Sequence, residues 1–322
     1  MNAYFYLSPF GDGWRNLAAD EYFLDHLRSD DVMLYLYVNE RAVIIGRNQN
    51  PWLECDLDRL EKDGVQLVRR CTGGGAVYHD TGNLNFSFIT GEAGYDLDRQ
   101  MQIVLSAVRS FGIDAELNGR NDMTAGGRKF SGSAFGARRG MKQHHGTLLV
   151  NADLTVMPRY LTVSREKLEA KGIRSVRSRV INLAELNPAV SVPALAAALR
   201  AEFEKLFGPA RDFTPDDSAL ESIGGYYARH ASWEWRMGKS PDFNWTAQRR
   251  FAWGEVRLFL SVRDGVVVGA ELYTDSLDPD IAEKARCALT GARFDAAGLA
   301  SRLAGGGPEL AELGAYLADT GL

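Results

Sequence analysis

The sequence predicts an α+β protein with one large domain followed by a smaller α+β domain. Three observations carry this prediction. A chain of 322 residues is longer than one small core needs. Apolar residues recur with helical spacing in some segments and alternate as in strands in others, a mixture typical of α+β folds. The pattern then breaks at a Gly-Lys-Ser-Pro stretch, so we predict domains at residues 1–240 and 246–322.

The elements of the large domain follow from these spacings in chain order. Helical spacing predicts an amphipathic helix over residues 14–27. Strand-like apolar runs occupy residues 32–37 and 42–46, and residues 84–88 alternate as a strand with one face in the core. A second helix is predicted over residues 101–111 and ends at Gly112. A short strand follows at residues 146–151, and then a helix that Ser191 caps and Gly208 ends.

The small domain begins with a predicted hairpin. Apolar and polar residues alternate over 256–262 and again over 266–272, on either side of an Asp-Gly pair. Asp-Gly is a favoured two-residue turn between antiparallel strands. Helical spacing at residues 281–289 and 309–318 closes the chain.

Charge and composition exclude several classes of protein. The formal net charge is −5 and the pI is about 5.7, which disfavours a general nucleic-acid binder. The longest apolar run, residues 32–38, is too short for a membrane span, and no signal-peptide pattern precedes it. Three scattered cysteines and the absence of an HExxH motif predict neither disulfides nor zinc. We therefore expect a cytoplasmic protein that binds neither nucleic acid nor membranes.

The densest chemical signal is the glycine-rich segment at residues 69–80, RRCTGGGAVYHD. Three consecutive glycines let the backbone approach a ligand, and their N–H groups can bind an anion beside Arg69 or Arg70. The segment matches neither the Walker pattern nor GxGxxG. A tight loop between strands is the alternative interpretation.

Three further clusters carry charge. Residues 119–133 place Asp122, a hard oxygen ligand suited to Mg²⁺, near Arg128 and Lys129 between glycines; a solvated turn is the alternative. The pair His144–His145 enters a strand and is either structural or part of a site. Residues 165–179 carry a local charge of +4, which predicts either a solvated helix face or a loop that covers a phosphate or meets an acidic partner.

In their order along the chain, these segments resemble the lipoate–protein ligase A family. The matching stretches are NLAADE, VIIGRNQNPWLEC, RRCTGGGAVYHDTGNLNFSF, GRND, GRKFSGSAF, HHGTLLVNADL, AKGIRSVRSRV, SWEWRMGK, FAWGEVRLFLSV and YTDSLDP. They cover nearly the whole chain. The resemblance implies a large catalytic domain with the biotin- and lipoate-ligase fold and a small α+β accessory domain.

The resemblance also implies a two-step reaction. Lipoate and Mg²⁺-ATP would give lipoyl-AMP and pyrophosphate, and the lipoyl group would then pass to a lysine of an acceptor protein. The implied acceptors are the apo lipoyl domains of 2-oxoacid dehydrogenase complexes and the H protein of glycine cleavage. We expect a monomer.

Site residues are implied by motif position. Lys129 would be the catalytic lysine, and Asp122 would hold Mg²⁺. Contacts to ATP or lipoyl-AMP would come from Arg70, Gly75, Ala76, Val77, Tyr78, Lys129, Lys171 and Arg177. Lipoate would be held by Leu17, Trp52, His79, Asn83, Lys129 and His145.

Two departures and three alternatives remain open. Relatives often have serine where this chain has Cys71, which we interpret as a small spacer rather than a redox site. The segment before Arg128 is shorter than in some relatives. The alternatives are a Cys-dependent lipoyl or octanoyl transferase of the same fold, a non-catalytic module that binds lipoate or lipoyl-AMP, and, more weakly, a biotin ligase.

Overall fold

A computed structural model describes residues 2–119, 121–161, 180–237, 245–263 and 265–320, with the side chains of Trp52 and Leu53 left aside. The helices are α1 (Gly13–His26), α2 (Pro51–Glu54), α3 (Leu57–Lys62), α4 (Leu97–Arg109), α5 (Met157–Tyr160), α6 (Leu183–Leu186), α7 (Val192–Phe207), α8 (Asp217–Ala231), α9 (Trp233–Arg236), α10 (Ile281–Leu289), α11 (Ala296–Leu303) and α12 (Pro308–Ala318).

The strands form three sheets. Their bounds are β1 (Asn2–Leu7), β2 (Asp31–Val38), β3 (Arg41–Ile45), β4 (Gln66–Arg69), β5 (Val77–Asp80), β6 (Asn83–Gly91), β7 (Ala115–Asn118), β8 (Asp122–Ala125), β9 (Arg128–Arg138), β10 (Met141–Leu149), β11 (Arg211–Asp212), β12 (Trp245–Phe251), β13 (Gly254–Arg263) and β14 (Val266–Thr274). The eight-stranded sheet has the order β11-β1-β2-β6-β10-β9-β8-β7, and two three-stranded sheets have the orders β4-β3-β5 and β12-β13-β14.

The main core lies on one face of the large sheet. Leu84, Phe86 and Phe88 of β6 are fully buried there and pack with α4 and α7. Alternation along the strand sends the intervening polar residues to the opposite face. The opposite face is apolar where Met33, Tyr35 and Ile89 pack under α1, and it is polar around Asn85, where a ligand can bind.

Helix α1 is fixed on the other side by buried charges. Glu21 is 1% exposed and accepts hydrogen bonds from Arg138 and Arg229, and it also pairs with His230. Burial opposes the charge of Glu21, but these partners outweigh burial and lower its pKa to about 2. The network joins α1 to β9 and α8, because the carboxylate would be costly to bury without these cations.

The C-terminal part has its own core. Strands β12, β13 and β14 form an antiparallel sheet, and the buried residues of this sheet pack against α10, α11 and α12. Among the described residues, no helix has both the length and the apolar character needed to cross a bilayer.

Most predicted elements are confirmed, and one strand differs in its bounds. The predicted helix over 14–27 is α1, and Ser191 caps α7 by accepting from Ala194 N. The strand predicted at 146–151 is wrong in its bounds, since β10 runs over Met141–Leu149. The first half of β10 contains the polar residues Gln143, His144 and His145, so it has no apolar run that would indicate a strand. The predicted domain boundary falls at residues 238–244, outside the described residues, and stays a prediction.

Candidate active site

The polar face of the large sheet forms the floor of a cavity. Tyr37 of β2 lies beside Asn85 of β6, which in turn lies beside Thr147 of β10. Asn85 Nδ2 donates to the Tyr37 carbonyl at 3.2 Å. These three side chains line a cavity of about 400 Å³. A polar floor of this size can hold a small molecule with directed hydrogen bonds.

The glycine-rich loop forms one wall of the cavity, and hydrogen bonds from the Arg70 side chain hold its conformation. The guanidinium donates to the carbonyl oxygens of Gly73 at 2.6 Å and Gly75 at 2.9 Å. Gly74 has a φ of +95°, a conformation that favours glycine. Burial lowers the pKa of Arg70 to about 10, so it is still a cation at neutral pH.

Arg69 points away from the loop and joins three parts of the chain. It donates to the carbonyls of Gln49 at 2.7 Å and Trp235 at 2.9 Å. Trp235 Nε1 donates back to the Arg69 carbonyl at 2.9 Å. Of the adjacent arginines, Arg70 lines the cavity and Arg69 does not.

Lys129 is a partly exposed cation of the cavity. Its Nζ lies 2.6 Å from Asp122 Oδ1, with side-chain exposures of 39% and 35%. The Lys129 side chain lies over Gly132, where an added Cβ would approach Nζ to 2.8 Å. The Lys129 carbonyl accepts from Ile181 N at 2.9 Å, which anchors β9 at this point.

Two buried histidines line the same cavity. His145 lies between Asp20 and Thr72, with Nδ1 2.9 Å from the Asp20 carboxylate and Nε2 2.8 Å from the Thr72 hydroxyl. His79 Nδ1 lies 3.0 Å from Asn39 Nδ2. Burial, Arg70 and His145 lower the pKa of His79 to about 3, so this ring is neutral.

His144 faces the opposite side of the sheet and is structural. Its ring nitrogens lie 3.1 Å from Ser133 Oγ and 3.2 Å from Gln100 Oε1. The ring also stacks on Phe88 and Phe135. The structure therefore separates the His-His pair into one core residue and one cavity residue.

The C-terminal part supplies the remaining wall. Arg250, Asp275 and Leu277 line the cavity beside the glycine loop. The Ser276 carbonyl accepts from Gly74 N at 2.7 Å, and Asn48 O accepts from Thr274 N at 2.7 Å. The loop after β14 is thus bound directly to the glycine loop.

The structure brings most of the predicted site residues together. The cavity is lined by Leu17, Arg70, Gly75, Ala76, Val77, His79, Asp122, Lys129 and His145. Tyr78 and Asn83 do not line it: Tyr78 packs on Tyr160, and Asn83 Nδ2 donates to Asn85 Oδ1. Lys171, Arg177 and the side chain of Trp52 lie outside the described residues.

Sequence reasoning missed several lining residues. Tyr37 and Asn85 could have been found from the strand alternation, because each lies on the polar face of its strand. Thr147 and Gly132 are adjacent to predicted residues in the large sheet. No signal in the sequence placed the C-terminal loop against the glycine loop, since that contact depends on how the two parts pack.

The donor set at Asp122 fits a hard cation held jointly with phosphate. No group of three or more His, Cys, Asp or Glu side chains forms a metal site within the part of the chain that the structure describes. Magnesium often binds through one or two carboxylates and takes its other ligands from phosphate and water. Asp122 lines the cavity and can supply one such carboxylate.

The cysteines are unsuited to act as nucleophiles. Burial raises the pKa of the Cys71 thiol far above its usual range, and Glu21 and Asp20 raise it further. Burial also raises the pKa of Cys55 to about 12. Neither thiol nor that of Cys287 lines the cavity. The thiolate is the reactive form, so these environments suppress reactivity.

The fold and the site together define a class of protein that holds an acyl carboxylate next to a phosphate. Leu17, Ile44 and Val77 line the cavity and suit a carbon chain, and Lys129 and the glycine loop suit anions. The model of the lipoyl protein ligase A/B catalytic domain matches residues 12–204, and that of the bacterial lipoate protein ligase C-terminus matches residues 240–307. The chain belongs to the lipoate–protein ligase A family.

Individual relatives agree with this assignment. A lipoate-protein ligase A of Psychrobacter cryohalolentis is 39% identical over 291 residues, which cover 88% of this chain and 86% of the relative. The crystal structure of P. falciparum LipL1 in complex with lipoate has a TM-score of 0.87 at 27% identity and covers 98% of this chain and 99% of its own. A lipoate-protein ligase A bound with ATP has a TM-score of 0.66 at 31% identity, over 74% of this chain and 99% of its own.

Proposed function

We propose that this chain is an ATP-dependent lipoate–protein ligase. It activates lipoate to lipoyl-AMP with release of pyrophosphate, and then transfers the lipoyl group to a lysine of an acceptor protein with release of AMP. The observation that carries the proposal is one cavity in which Lys129, Asp122 and the glycine loop lie beside apolar side chains. The lipoate complex and the ATP complex of the two structural relatives support it.

Lys129 is proposed to neutralise the charge that builds up in the first step. Attack of the lipoate carboxylate on the α-phosphate brings two anions together, and a preorganised cation stabilises that transition state. In the structure the ammonium is bound to Asp122. Lys129 must therefore leave Asp122, at least in part, to reach the carboxylate and the phosphate.

Asp122 is proposed to hold Mg²⁺ once Lys129 moves toward the substrate. The bound ion would neutralise phosphate charge during adenylation. Asp122 lies next to Lys129 in the cavity. The same carboxylate thus pairs with Lys129 in the structure and would contribute a metal ligand when Mg²⁺-ATP is bound.

The glycine loop is proposed to bind phosphate through backbone N–H groups. Arg70 binds the carbonyls of Gly73 and Gly75, and this contact fixes how the loop is presented to the cavity. Lys171 and Arg177 are proposed to cover the adenylate and exclude water, which protects a hydrolysable mixed anhydride.

The second step is proposed to use positioning. The acceptor lysine must attack the lipoyl carbonyl as a neutral amine, and Lys129 beside that carbonyl stabilises the negative charge on its oxygen. The proposed acceptors are apo lipoyl domains of 2-oxoacid dehydrogenases and the H protein. We also propose that the chain is a cytoplasmic monomer.

A thioester route is disfavoured by the cysteines. Cys71 is half-buried, and burial, together with Glu21 and Asp20, raises the pKa of its thiol. A cysteine nucleophile needs the opposite environment, with a lowered pKa and access to substrate. The Cys-dependent transferase is therefore the weaker hypothesis.

The test combines pyrophosphate release with mass spectrometry of an apo lipoyl domain. The full-length chain is incubated with lipoate, Mg²⁺ and ATP, and in parallel without ATP. Pyrophosphate release and a lipoyl mass increase on the acceptor, both dependent on ATP, are expected. No pyrophosphate with lipoate and ATP would overturn the proposal, and ATP-independent transfer that Cys71→Ser abolishes would establish the thioester route.

A further inference from the structure

Arg250 brings a cation from the C-terminal part of the chain to the cavity. It lies on β12 opposite Glu255 of β13, and its side chain lines the cavity. Arg250 Nη1 lies 3.0 Å from Asp275 Oδ2 and 3.9 Å from Glu255 Oε2. Asp275 Oδ1 in turn accepts from Glu255 N at 2.7 Å. These contacts hold the guanidinium at the cavity, although 36% of the side chain is exposed.

The Arg250 guanidinium keeps most of its donors available for a ligand. An arginine side chain has five N–H donors on three nitrogens. Within the described ranges every polar contact of this side chain is made by Nη1, so the N–H groups of Nε and Nη2 have no protein partner there. Two parallel N–H groups of a guanidinium can bind two oxygens of a phosphate at once. Arg250 is therefore suited to bind a phosphate group.

The other cations of the cavity already have partners or a proposed role. In the described part of the chain, the lysine and arginine side chains that line the cavity are Arg70, Lys129 and Arg250. Each nitrogen of the Arg70 guanidinium donates to a backbone carbonyl. Lys129 is proposed to act at the lipoate carboxylate and the α-phosphate. Arg250 is thus the lining cation that remains for the β- and γ-phosphates of ATP.

The glycine loop and Arg250 lie close together on one side of the cavity. A Cβ added at Gly75 would lie 3.9 Å from Asp275 Cβ, and Asp275 is the residue that holds Arg250. The neighbouring Gly74 N donates to the Ser276 carbonyl at 2.7 Å. One side chain therefore separates the loop backbone from the guanidinium. The phosphate chain of an ATP molecule bound at the loop can reach Arg250.

The chemistry of the first step requires positive charge at that end of ATP. A carboxylate oxygen of lipoate forms a bond to the α-phosphorus, and the bond from this phosphorus to the oxygen that bridges to the β-phosphate breaks. The electron pair of the broken bond goes to pyrophosphate, and no proton is transferred. A cation that contacts the leaving group stabilises the negative charge that develops on it.

We propose that the N–H groups of Nε and Nη2 of Arg250 bind the β- and γ-phosphates of ATP and the pyrophosphate that leaves. Arg250 would contact the leaving group from the C-terminal part, whereas Lys129 and the glycine loop would contact the nucleotide from the opposite wall. AMP lacks these two phosphates and would not use Arg250. The inference rests on the proposed lipoate ligase function.

The first test measures the binding of inorganic pyrophosphate and of AMP to the full-length protein, by isothermal titration calorimetry with Mg²⁺ present. Arg250→Gln removes the charge. It is expected to weaken pyrophosphate binding by about 10-fold to 100-fold, the range that a hydrogen bond to a charged group gives, and to leave AMP binding unchanged. Arg250→Lys keeps the charge and is expected to recover part of the affinity.

Arg249→Gln is the matched control. The guanidinium of Arg249 lies 4.7 Å from the centre of the Tyr316 ring, and this residue does not line the cavity. The control should bind both ligands as the unmodified chain does, and urea unfolding on the same preparations checks that each variant is folded. The proposal would be overturned by unchanged pyrophosphate binding in Arg250→Gln, by an equal loss of AMP binding, or by the same loss in the control.

The second test measures kcat/KM for ATP in lipoate-dependent pyrophosphate release. Arg250→Gln is expected to lower kcat/KM for ATP by about 100-fold, the loss that follows removal of one donor to a developing charge, with little change in the KM for lipoate. An equal effect on both substrates would overturn the proposal. Failure of the unmodified chain to release pyrophosphate would contradict the proposed function, and the calorimetry would still decide whether Arg250 binds pyrophosphate.

Discussion

Replacing Lys129 by alanine separates the roles of its charge in catalysis and in stability. The ammonium is bound to Asp122 at 2.6 Å in a pair that is more than a third exposed. Exposed ion pairs contribute at most about 1 kcal/mol to stability, so Lys129→Ala should unfold at nearly the same urea concentration as the unmodified chain. Removal of one preorganised donor to a developing charge costs about 100-fold to 1000-fold in rate.

The assay is lipoate-dependent pyrophosphate release at saturating ATP, with urea unfolding measured on the same preparations. Lys142→Ala is the matched control. Lys142 pairs with Glu92 at 3.0 Å with 31% of its side chain exposed, and it does not line the cavity. The control should lose a surface ion pair of similar geometry and keep its rate.

Two results would refute this reasoning about Lys129. Near-normal adenylation in Lys129→Ala would show that the charge at this position does not stabilise the transition state. A large loss of stability in Lys129→Ala, with none in Lys142→Ala, would show that the pair with Asp122 is a structural element. The rate loss would then be a consequence of unfolding.

Three further predictions concern the surroundings of the cavity. Gly73→Ala places a Cβ 2.3 Å from the Ser276 carbonyl, and urea unfolding should show a loss of about 1–3 kcal/mol; Gly75→Ala, whose nearest neighbour is 3.9 Å away, should lose much less, and equal losses would refute the clash. Cys71→Ser should keep ATP-dependent lipoyl transfer by mass spectrometry, and loss of transfer in a folded variant would contradict the spacer role. His144, whose pKa burial lowers to about 3, remains neutral in the folded state but gains a proton on unfolding below about pH 6.5. The free energy of unfolding should therefore decrease as the pH is lowered from 6.5 to 3, by about 1.4 kcal/mol per pH unit for each such histidine. A smaller pH dependence in His144→Gln would support this origin, and an unchanged pH dependence would refute it.

The sequence could predict the elements whose pattern is long and regular. Residues 14–27 and the segment capped by Ser191 carry helical spacing over several turns, and both helices lie where the pattern places them. The alternation in residues 84–88 likewise identified the core face of β6. In each case the signal is local, because one face of the element packs against the core along its whole length.

The features that the sequence could not predict depend on contacts between residues that are distant in the chain. Strands β4 and β5 have only four residues each, too few for a periodic signal. His79 Nδ1 lies beside the side chain of Asn39, which is 40 positions earlier in the chain. The contact of Ser276 with Gly74 joins residues that are 202 positions apart in the chain. None of these follows from local spacing.

The two adjacent arginines show why residue type alone does not define an anion site. The sequence presents Arg69 and Arg70 as a pair of cations beside three glycines, yet both guanidiniums donate to backbone carbonyls in the described structure. A planar fork can bind two carbonyls at once, which an ammonium does less well. With the carbonyls of Gly73 and Gly75 bound to Arg70, the loop is free to direct N–H groups toward an anion.

That division of roles leads to a specific expectation for the loop. One of its N–H groups, that of Gly74, already donates to the Ser276 carbonyl at 2.7 Å. A phosphate that used this group would have to displace the C-terminal loop, whereas one held by the neighbouring N–H groups would not. The affinity for ATP in Gly73→Ala, whose added Cβ would push the Ser276 carbonyl away from the glycine loop, distinguishes the two. Tighter binding would show competition between phosphate and the loop, and unchanged binding would show that Gly74 N–H serves only to join the two parts of the protein.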